Sequence, residues 1–467
     1  MSIETNHTPS LGISLVPVLS LILFLFTGIF VLGTDPHLPL ILAAVVAAFI
    51  GSRAGFGWKD LQVSIVSSIS ISMPAILILM AIGILIGTWV ASGIVPLMIF
   101  YGLKILSPGF FLVATCLICS VVSFATGSSW STAGTVGVAL IGIGQALGLP
   151  LPMVAGAIVS GAYFGDKLSP LSDTTNLAPA VAGAELFDHI KHMLFTTVPS
   201  MIIALTLYAI LGARISGEAA SLESVATLSQ TLDSLFNLTP WLLLAPGLVL
   251  LLIVLRIPAL PALLAGGFAG GILGVVTQGI SFSSIFSIMQ AGFVSETGVS
   301  QIDELLTRGG IDSMMWTISL ILCAMAYGGI MEGTGMLTTI SNYILKFATS
   351  TGRLVATTIL TCLGMNILAP DQYLSIIVPG RMYKKAFEDS GLAAKNLSRC
   401  LEDAGTLSSP LIPWNTCGAT MMAFLLVNPL AYLPFAFLNL INPIISLIYG
   451  FTGWTMAKRD APSNPDQ

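Results

Sequence analysis

Residues 164–176 read Phe164-Gly165-Asp166-Lys167-Leu168-Ser169-Pro170-Leu171-Ser172-Asp173-Thr174-Thr175-Asn176, in the middle of an otherwise apolar stretch, 150–182. Gly and Pro stop a helix here and free backbone carbonyls and amides. Hydroxyls and carboxylates are added at the same depth. An ionisable group at the centre of a spanning helix costs roughly 2.5–3.5 kcal/mol on insertion scales. Irregular backbone facing lipid does not occur at membrane depth, so such a segment must line a protein-enclosed cavity.

The rest of the chain supports a membrane setting. It has 467 residues, 55% hydrophobic and only 8% charged, against about a quarter charged in a soluble domain. That excludes a cytosolic enzyme, a nucleic-acid binder and a secreted disulfide scaffold. A net charge of −5 also argues against a polybasic phosphate-binding surface. Cys116, Cys119, Cys323, Cys362, Cys400 and Cys417 lie in or beside apolar segments and read as small buried hydrophobes.

Working outward, the first apolar stretch, 11–32, reads as a retained helix. Continuous spans follow at 38–52, 73–95, 193–213, 239–257, 259–279, 313–331 and 432–456. Two further apolar regions, 109–182 and 353–430, are interrupted by polar clusters. Besides 165–176, the interruptions are Thr126-Gly127-Ser128-Ser129-Trp130-Ser131-Thr132, Asn366-Ile367-Leu368-Ala369-Pro370-Asp371, and 402–410 continuing to Pro413-Trp414-Asn415-Thr416.

The two halves resemble each other. The run from Pro39 matches that from Pro261. Tyr101, Lys104 and Leu112-Val113-Ala114-Thr115 match Tyr343, Lys346 and Leu354-Val355-Ala356-Thr357. Gly165 and Ser169-Pro170-Leu171 match Gly405 and Ser409-Pro410-Leu411. Taking 109–148 and 353–382 as re-entrant hairpins, and 150–182 and 400–430 as broken spans, leaves five crossings per half. An odd number inverts the second half.

The expected fold is therefore an all-α polytopic membrane protein of about ten transmembrane helices in two inverted-topology repeats. Its divisions are residues 1–215 as the first repeat, 216–238 as an external loop, 239–457 as the second repeat and 458–467 as a polar cytoplasmic tail. Arg53, Lys59, Arg256, Lys384, Lys385, Lys395, Arg399, Lys458 and Arg459 mark the cytoplasmic side. Both termini fall there, in the inner (plasma) membrane. The acidic stretches 216–238 and 293–312 read as external, and His189 and His192 as part of a solvated cytoplasmic loop.

Unwound carbonyls, neutral oxygens and a few carboxylates suit a small hard cation. The candidate cation and proton ligands are Thr126, Ser129, Asp166, Ser169, Ser172, Asp173 and Asn176 from the first half. Asn366, Asp371, Ser409 and Asn415 come from the second. Na⁺ is placed at Asp166 and Asp173. Lys167 and Asp403 are secondary candidates, and Lys167 has the competing reading of an ion pair with Asp166 or Asp173. No cofactor is expected beyond the transported ions.

The run 164–176 closely resembles the signature of NhaC-type Na⁺/H⁺ antiporters. Thr126-Gly127-Ser128-Ser129-Trp130-Ser131-Thr132 and Pro410-Leu411-Ile412-Pro413-Trp414-Asn415-Thr416 resemble the same family. The likeness implies Na⁺/H⁺ exchange, or exchange of malate with protons for lactate with sodium. It also implies the ion-transporter superfamily fold, a scaffold domain beside a cargo-carrying domain that moves as an elevator, and a homodimer in lipid. A carboxylate cargo is the alternative, although Arg381 is the nearest basic residue to a break and reads as cytoplasmic. An intramembrane aspartyl protease needs G-x-G-D, whereas Tyr163-Phe164-Gly165 precedes Asp166. A passive channel fits broken, duplicated, carboxylate-bearing segments less well than alternating access does.

Overall fold

A computed structural model describes residues 9–215 and 222–459. Its elements are helical throughout, with two isolated β-bridges among the described residues. Helix α1 spans Leu11–Phe26, α2 His37–Arg53 and α3 Trp58–Ala91. Hydropathy alone starts the third span at 73, because serines crowd its first half. In the structure several of those hydroxyls are satisfied within the helix: Ser64, Ser70 and Ser72 donate to the Asp60, Val66 and Ile69 carbonyls. That back-bonding hides their polarity from lipid. At 34 residues, α3 is about 51 Å long, well beyond a bilayer core of about 30 Å.

The first broken region runs α4 (Pro108–Thr126), then α5, which opens as the turn Ser129–Thr132 and ends as Val138–Ala146, then α6 (Leu151–Leu168) and α7 (Asp173–Ala182). Helix α8 covers Leu186–Ile215, α9 Leu222–Leu235, α10 Leu244–Val254, α11 Ala259–Gln278, α12 Phe282–Ala291 and α13 Ile311–Gly333. The second broken region is α14 (Thr351–Leu368), α15 (Gln372–Asp389), α16 (Ala394–Cys400, running into the π-helical turn Leu401–Thr406) and α17 (Thr416–Leu425). Helix α18, Phe437–Thr452, follows.

Seven helices among the described residues are long and apolar enough to cross a membrane, or up to nine if two bent pairs each count as one span. Helix α2 and α18 are shorter apolar helices. The protein is thus an all-helical, multi-pass membrane protein. The long α3 packs on α2, α11 and α13, while α4 packs on α6 and α8. A second apolar cluster gathers α7, α14, α15 and α16 around Val355, Ile376, Tyr383 and Leu401.

Small residues set the closest of these approaches, as expected where packing rather than hydrophobicity drives association. A Cβ at Gly161 of α6 would overlap the Cys116 carbonyl of α4, and one at Gly165 would overlap Ser120 and Phe124. Gly161→Ala is expected to push α4 and α6 apart and cost about 1–3 kcal/mol. Thermal unfolding of the purified protein checks this, and an unshifted midpoint would contradict the packing described.

Within the segment read as an external loop, Leu222–Leu235 form α9; residues 216–221 and the tail from Asp460 lie outside the described residues. Two expectations need correction. His189 and His192 are not in a solvated loop. They are buried on α8, where the His189 ring shares a 2.8 Å hydrogen bond with Ser398 and the His192 ring one of 3.1 Å with Asn396. Arg399 is not a loop charge either: its side chain is fully buried, with Nε 3.9 Å from Asp403. Packing of α16 against α8 covers all three.

Between α12 and α13 the chain is pinned by the Phe293–Arg308 bridge and by Asp303. The Thr297 amide, the Ser295 and Thr297 hydroxyls and the Gly298 amide all donate to the Asp303 carboxylate. Those bonds, the Thr297 amide first, hold its carboxyl below the usual range. A depressed folded pKa stabilises the loop above the unfolded value, and the benefit is lost as pH falls through the folded one. Asp303→Asn is therefore expected to increase protease cleavage within 293–307 at neutral pH, with the difference from wild type disappearing in acid.

Candidate functional site

The four interruptions are four capped helix starts. Ser128 accepts from the Ser131 amide (3.1 Å) at α5, and Ser172 from the Thr175 amide (3.5 Å) at α7. Asp371 accepts from the Tyr373 and Leu374 amides (2.9 and 3.2 Å) at α15, and Asn415 from the Cys417 amide (3.0 Å) at α17. Ser, Asp and Asn are favoured N-caps because a short side chain can satisfy an orphan amide. Gly127 ends α4 at φ 66°, where a Cβ would lie 2.7 Å from the Leu171 backbone. Only glycine lets the first two breaks touch this closely.

All four starts line one cavity of about 350 Å³. Its wall holds Thr126 and Ser128–Ser131 from the first break, Asp166 and Ser172–Thr174 from the second, Asp371–Tyr373 from the third, and Thr416 and Cys417 from the fourth. Helix α3 closes one side with Ile71, Pro74, Ala75 and Ile78, and Ile253 and Arg256–Ala259 close another.

Asp166 is buried in the last turn of α6, and its Oδ2 accepts from the Ser129 amide (3.1 Å) and hydroxyl (2.6 Å). Asp371 is buried, with a second carboxyl contact from the Thr416 hydroxyl at 3.4 Å. Asp173 is exposed to the cavity, and the Tyr373 hydroxyl donates to it across the two halves at 3.5 Å. Helix N-termini carry partial positive charge, which steadies these carboxylates without neutralising them. Among the described residues no three His, Cys, Asp or Glu side chains converge as a resident metal centre. The carboxylates are spread around the cavity, leaving an occupant to be held largely by neutral oxygens.

The structure brings Thr126, Ser129, Asp166, Ser172, Asp173 and Asp371 to this wall. The other candidates stand behind it as braces. Ser169 Oγ accepts from the Leu171 amide at 3.3 Å, and Asn176 donates to the Pro170 and Ser172 carbonyls at 2.9 and 2.7 Å. Asn366 donates to the Gly405 carbonyl (2.7 Å) and the Ser408 hydroxyl (2.8 Å), and Asn415 donates to Asn366 Oδ1 at 3.0 Å. Ser409 donates to Gln372 Oε1 at 3.3 Å.

Lys167 pairs with neither Asp166 nor Asp173. Its ammonium is fully buried against Asp403 of the second half, which also accepts from Thr196 (3.0 Å) and Asn442 (2.7 Å). A partner far along the chain was invisible to local spacing. Gln372, Tyr373, Thr416 and Arg256 are further wall residues that sequence reasoning did not select. Arg256 is exposed at φ 63°, a rare conformation for a side-chain-bearing residue. A lone charge just before Pro258, between two apolar runs, was its only signal.

A model of the Na⁺/H⁺ antiporter family matches residues 161–454. The chain is 41% identical to the Na(+)/H(+) antiporter NhaC of Alkalihalophilus pseudofirmus over 97% of its own length and 98% of the relative's. It is 39% identical to the arginine/ornithine antiporter ArcD of Halobacterium salinarum, covering 99% and 96%. It is 38% identical to the malate-2H(+)/Na(+)-lactate antiporter of Bacillus subtilis, covering 95% and 93%.

Proposed function

The chain belongs to the Na⁺/H⁺ antiporter family, and from that premise we propose that it is a secondary active antiporter exchanging Na⁺ for H⁺ through the cavity at the four helix starts. The observation that carries this reading is the wall itself: Asp166, Asp173 and Asp371, from both halves, share one cavity with hydroxyl and amide oxygens, against a single basic side chain, Arg256, among the described lining residues. Such a set favours a small hard cation. Protonating a wall carboxylate discharges it and releases Na⁺, so the two ions compete. Adding Na⁺ to everted vesicles holding an acid interior is expected to collapse the pH gradient. Vesicles that respond only as protein-free membranes do would refute the proposal.

The same reading includes the finer architecture: ten crossings in two inverted repeats, each with a re-entrant hairpin (109–148 and 353–382) and a broken span. What supports it is the matched sequence blocks and the parallel order of helix, break and capped helix at α4–α5 and α14–α15. An inner-membrane location, cytoplasmic termini, an elevator-type movement and a dimer belong to it as well.

A carboxylate cargo is the second reading, and Arg256 favours it. A guanidinium beside helix N-termini can hold an organic anion. Labelled malate counterflow against lactate in proteoliposomes tests this. If the carboxylate is carried, Arg256→Gln is expected to lower counterflow at least tenfold, a loss of about 1.4 kcal/mol. If Na⁺ alone is carried, the same variant leaves Na⁺/H⁺ exchange near the wild-type rate.

A further inference from the structure

Behind the cavity wall, Glu402 is fully buried, and neither carboxyl oxygen has a hydrogen-bond partner among the described residues. It sits in the π-helical turn Leu401–Thr406, a backbone form that concentrates at functional sites. The other buried carboxylates nearby are provided for. Asp166 is held by Ser129 and Asp371 by two amides of α15, while Asp403 has its Oδ1 held by Lys167, Thr196 and Asn442 and its Oδ2 3.9 Å from the Arg399 guanidinium; Glu402 has neither oxygen held. An ionised carboxylate with no donor carries its full desolvation penalty. This arrangement therefore favours the neutral acid at Glu402.

Its surroundings link it to both the ion pair and the cavity. Lys167 and Asp166 face it from α6, and the Thr174 and Thr406 hydroxyls are neighbours without hydrogen-bonding geometry. Asp403 and Arg399 share its chain segment, and His189 of α8 faces Lys167. Thr174 is also part of the cavity wall.

Resting on the antiporter reading, we infer that Glu402 is a second proton-binding group of the transport cycle, coupled to the ion cavity through Lys167. Its proton passes by Thr174 to water in the cavity. The carboxylate left behind draws the Lys167 ammonium from Asp403, which keeps Thr196, Asn442 and the nearby Arg399. Lys167 directly follows Asp166 in the last turn of α6, so the shift reaches the carboxylate held by Ser129. Reprotonation reverses it. Wall carboxylates thus set competition with Na⁺, and Glu402 sets the rate at which the loaded or empty site moves.

The test is labelled Na⁺ flux in proteoliposomes against pH, with KM and the maximal rate measured separately. Glu402→Gln, a permanent mimic of the neutral acid, is expected to keep the wild-type pH dependence of KM while its maximal rate loses pH dependence. A maximal rate that follows pH as in wild type would overturn the proposal. If Glu402→Gln does not fold, Glu402→Asp retains a titratable group and is expected to shift the midpoint of the rate profile; an unshifted midpoint overturns the proposal equally. Absence of Na⁺ flux in the wild-type protein would instead refute the antiporter reading, so the two failures are distinct.

Discussion

Asp166→Asn is expected to lower Na⁺-induced collapse of a pH gradient in everted vesicles by about a hundredfold or more, equivalent to about 2.7 kcal/mol. Asn has the shape of Asp and retains an oxygen for the Ser129 amide and hydroxyl that now hold Asp166 Oδ2. The fold and the α5–α6 junction should therefore survive while the charge is lost. Asp173 offers the internal comparison. It lies at the open side of the cavity, and the contact to it from the other half is a 3.5 Å hydrogen bond from Tyr373. Solvent can replace much of what Asp173 supplies, so Asp173→Asn is expected to raise KM for Na⁺ with a smaller loss of maximal rate. Equal losses in the two variants would mean that burial does not rank the carboxylates.

The second large effect concerns stability. Lys167 and Asp403 are both fully buried and bind each other across the two halves. Removing one partner of such a pair leaves an uncompensated charge and costs about 3–5 kcal/mol, whereas replacing both by apolar side chains is often near neutral. Asp403→Leu is therefore expected to lower the thermal midpoint sharply and reduce folded yield. Lys167→Met combined with Asp403→Leu is expected to recover part of that loss. The Asn442 amide and Thr196 hydroxyl, which also donate to Asp403, and the buried Arg399 guanidinium beside it keep the recovery incomplete. Thermal unfolding of the two variants side by side checks the coupling, and additive losses would contradict it.

What was legible in the chain, and what was not, follows from what each signal measures. Gly, Pro and N-capping residues inside apolar runs mark where helices must stop, and the helix starts at Ser128, Ser172, Asp371 and Asn415 fall within the four polar interruptions. Those signals act over a few residues, so sequence reveals them. Hydropathy failed over the first half of α3, because it scores a serine as polar whether or not its hydroxyl is satisfied one turn back. Charge counting failed at Arg399, because it assigns every basic residue between spans to a loop, and this one is buried beside Asp403. His189 and His192 failed for the same reason. Pairing was the least visible property. Lys167 has two aspartates within six residues, yet its partner is in the other half, and Arg256 meets the cavity only because the chain folds back at a residue of positive φ. Local spacing can nominate a polar residue for the interior, but tertiary packing decides which oxygen it faces.

In the proposed exchange, one cavity built from four capped helix starts holds Na⁺ and protons in competition. The most direct test of this competition is the apparent KM for labelled Na⁺ in proteoliposomes as a function of pH. KM is expected to rise as pH falls, and Asp166→Asn to abolish the flux in protein that remains folded. A KM for Na⁺ that does not change with pH would contradict it, as would undiminished Na⁺ flux in that variant.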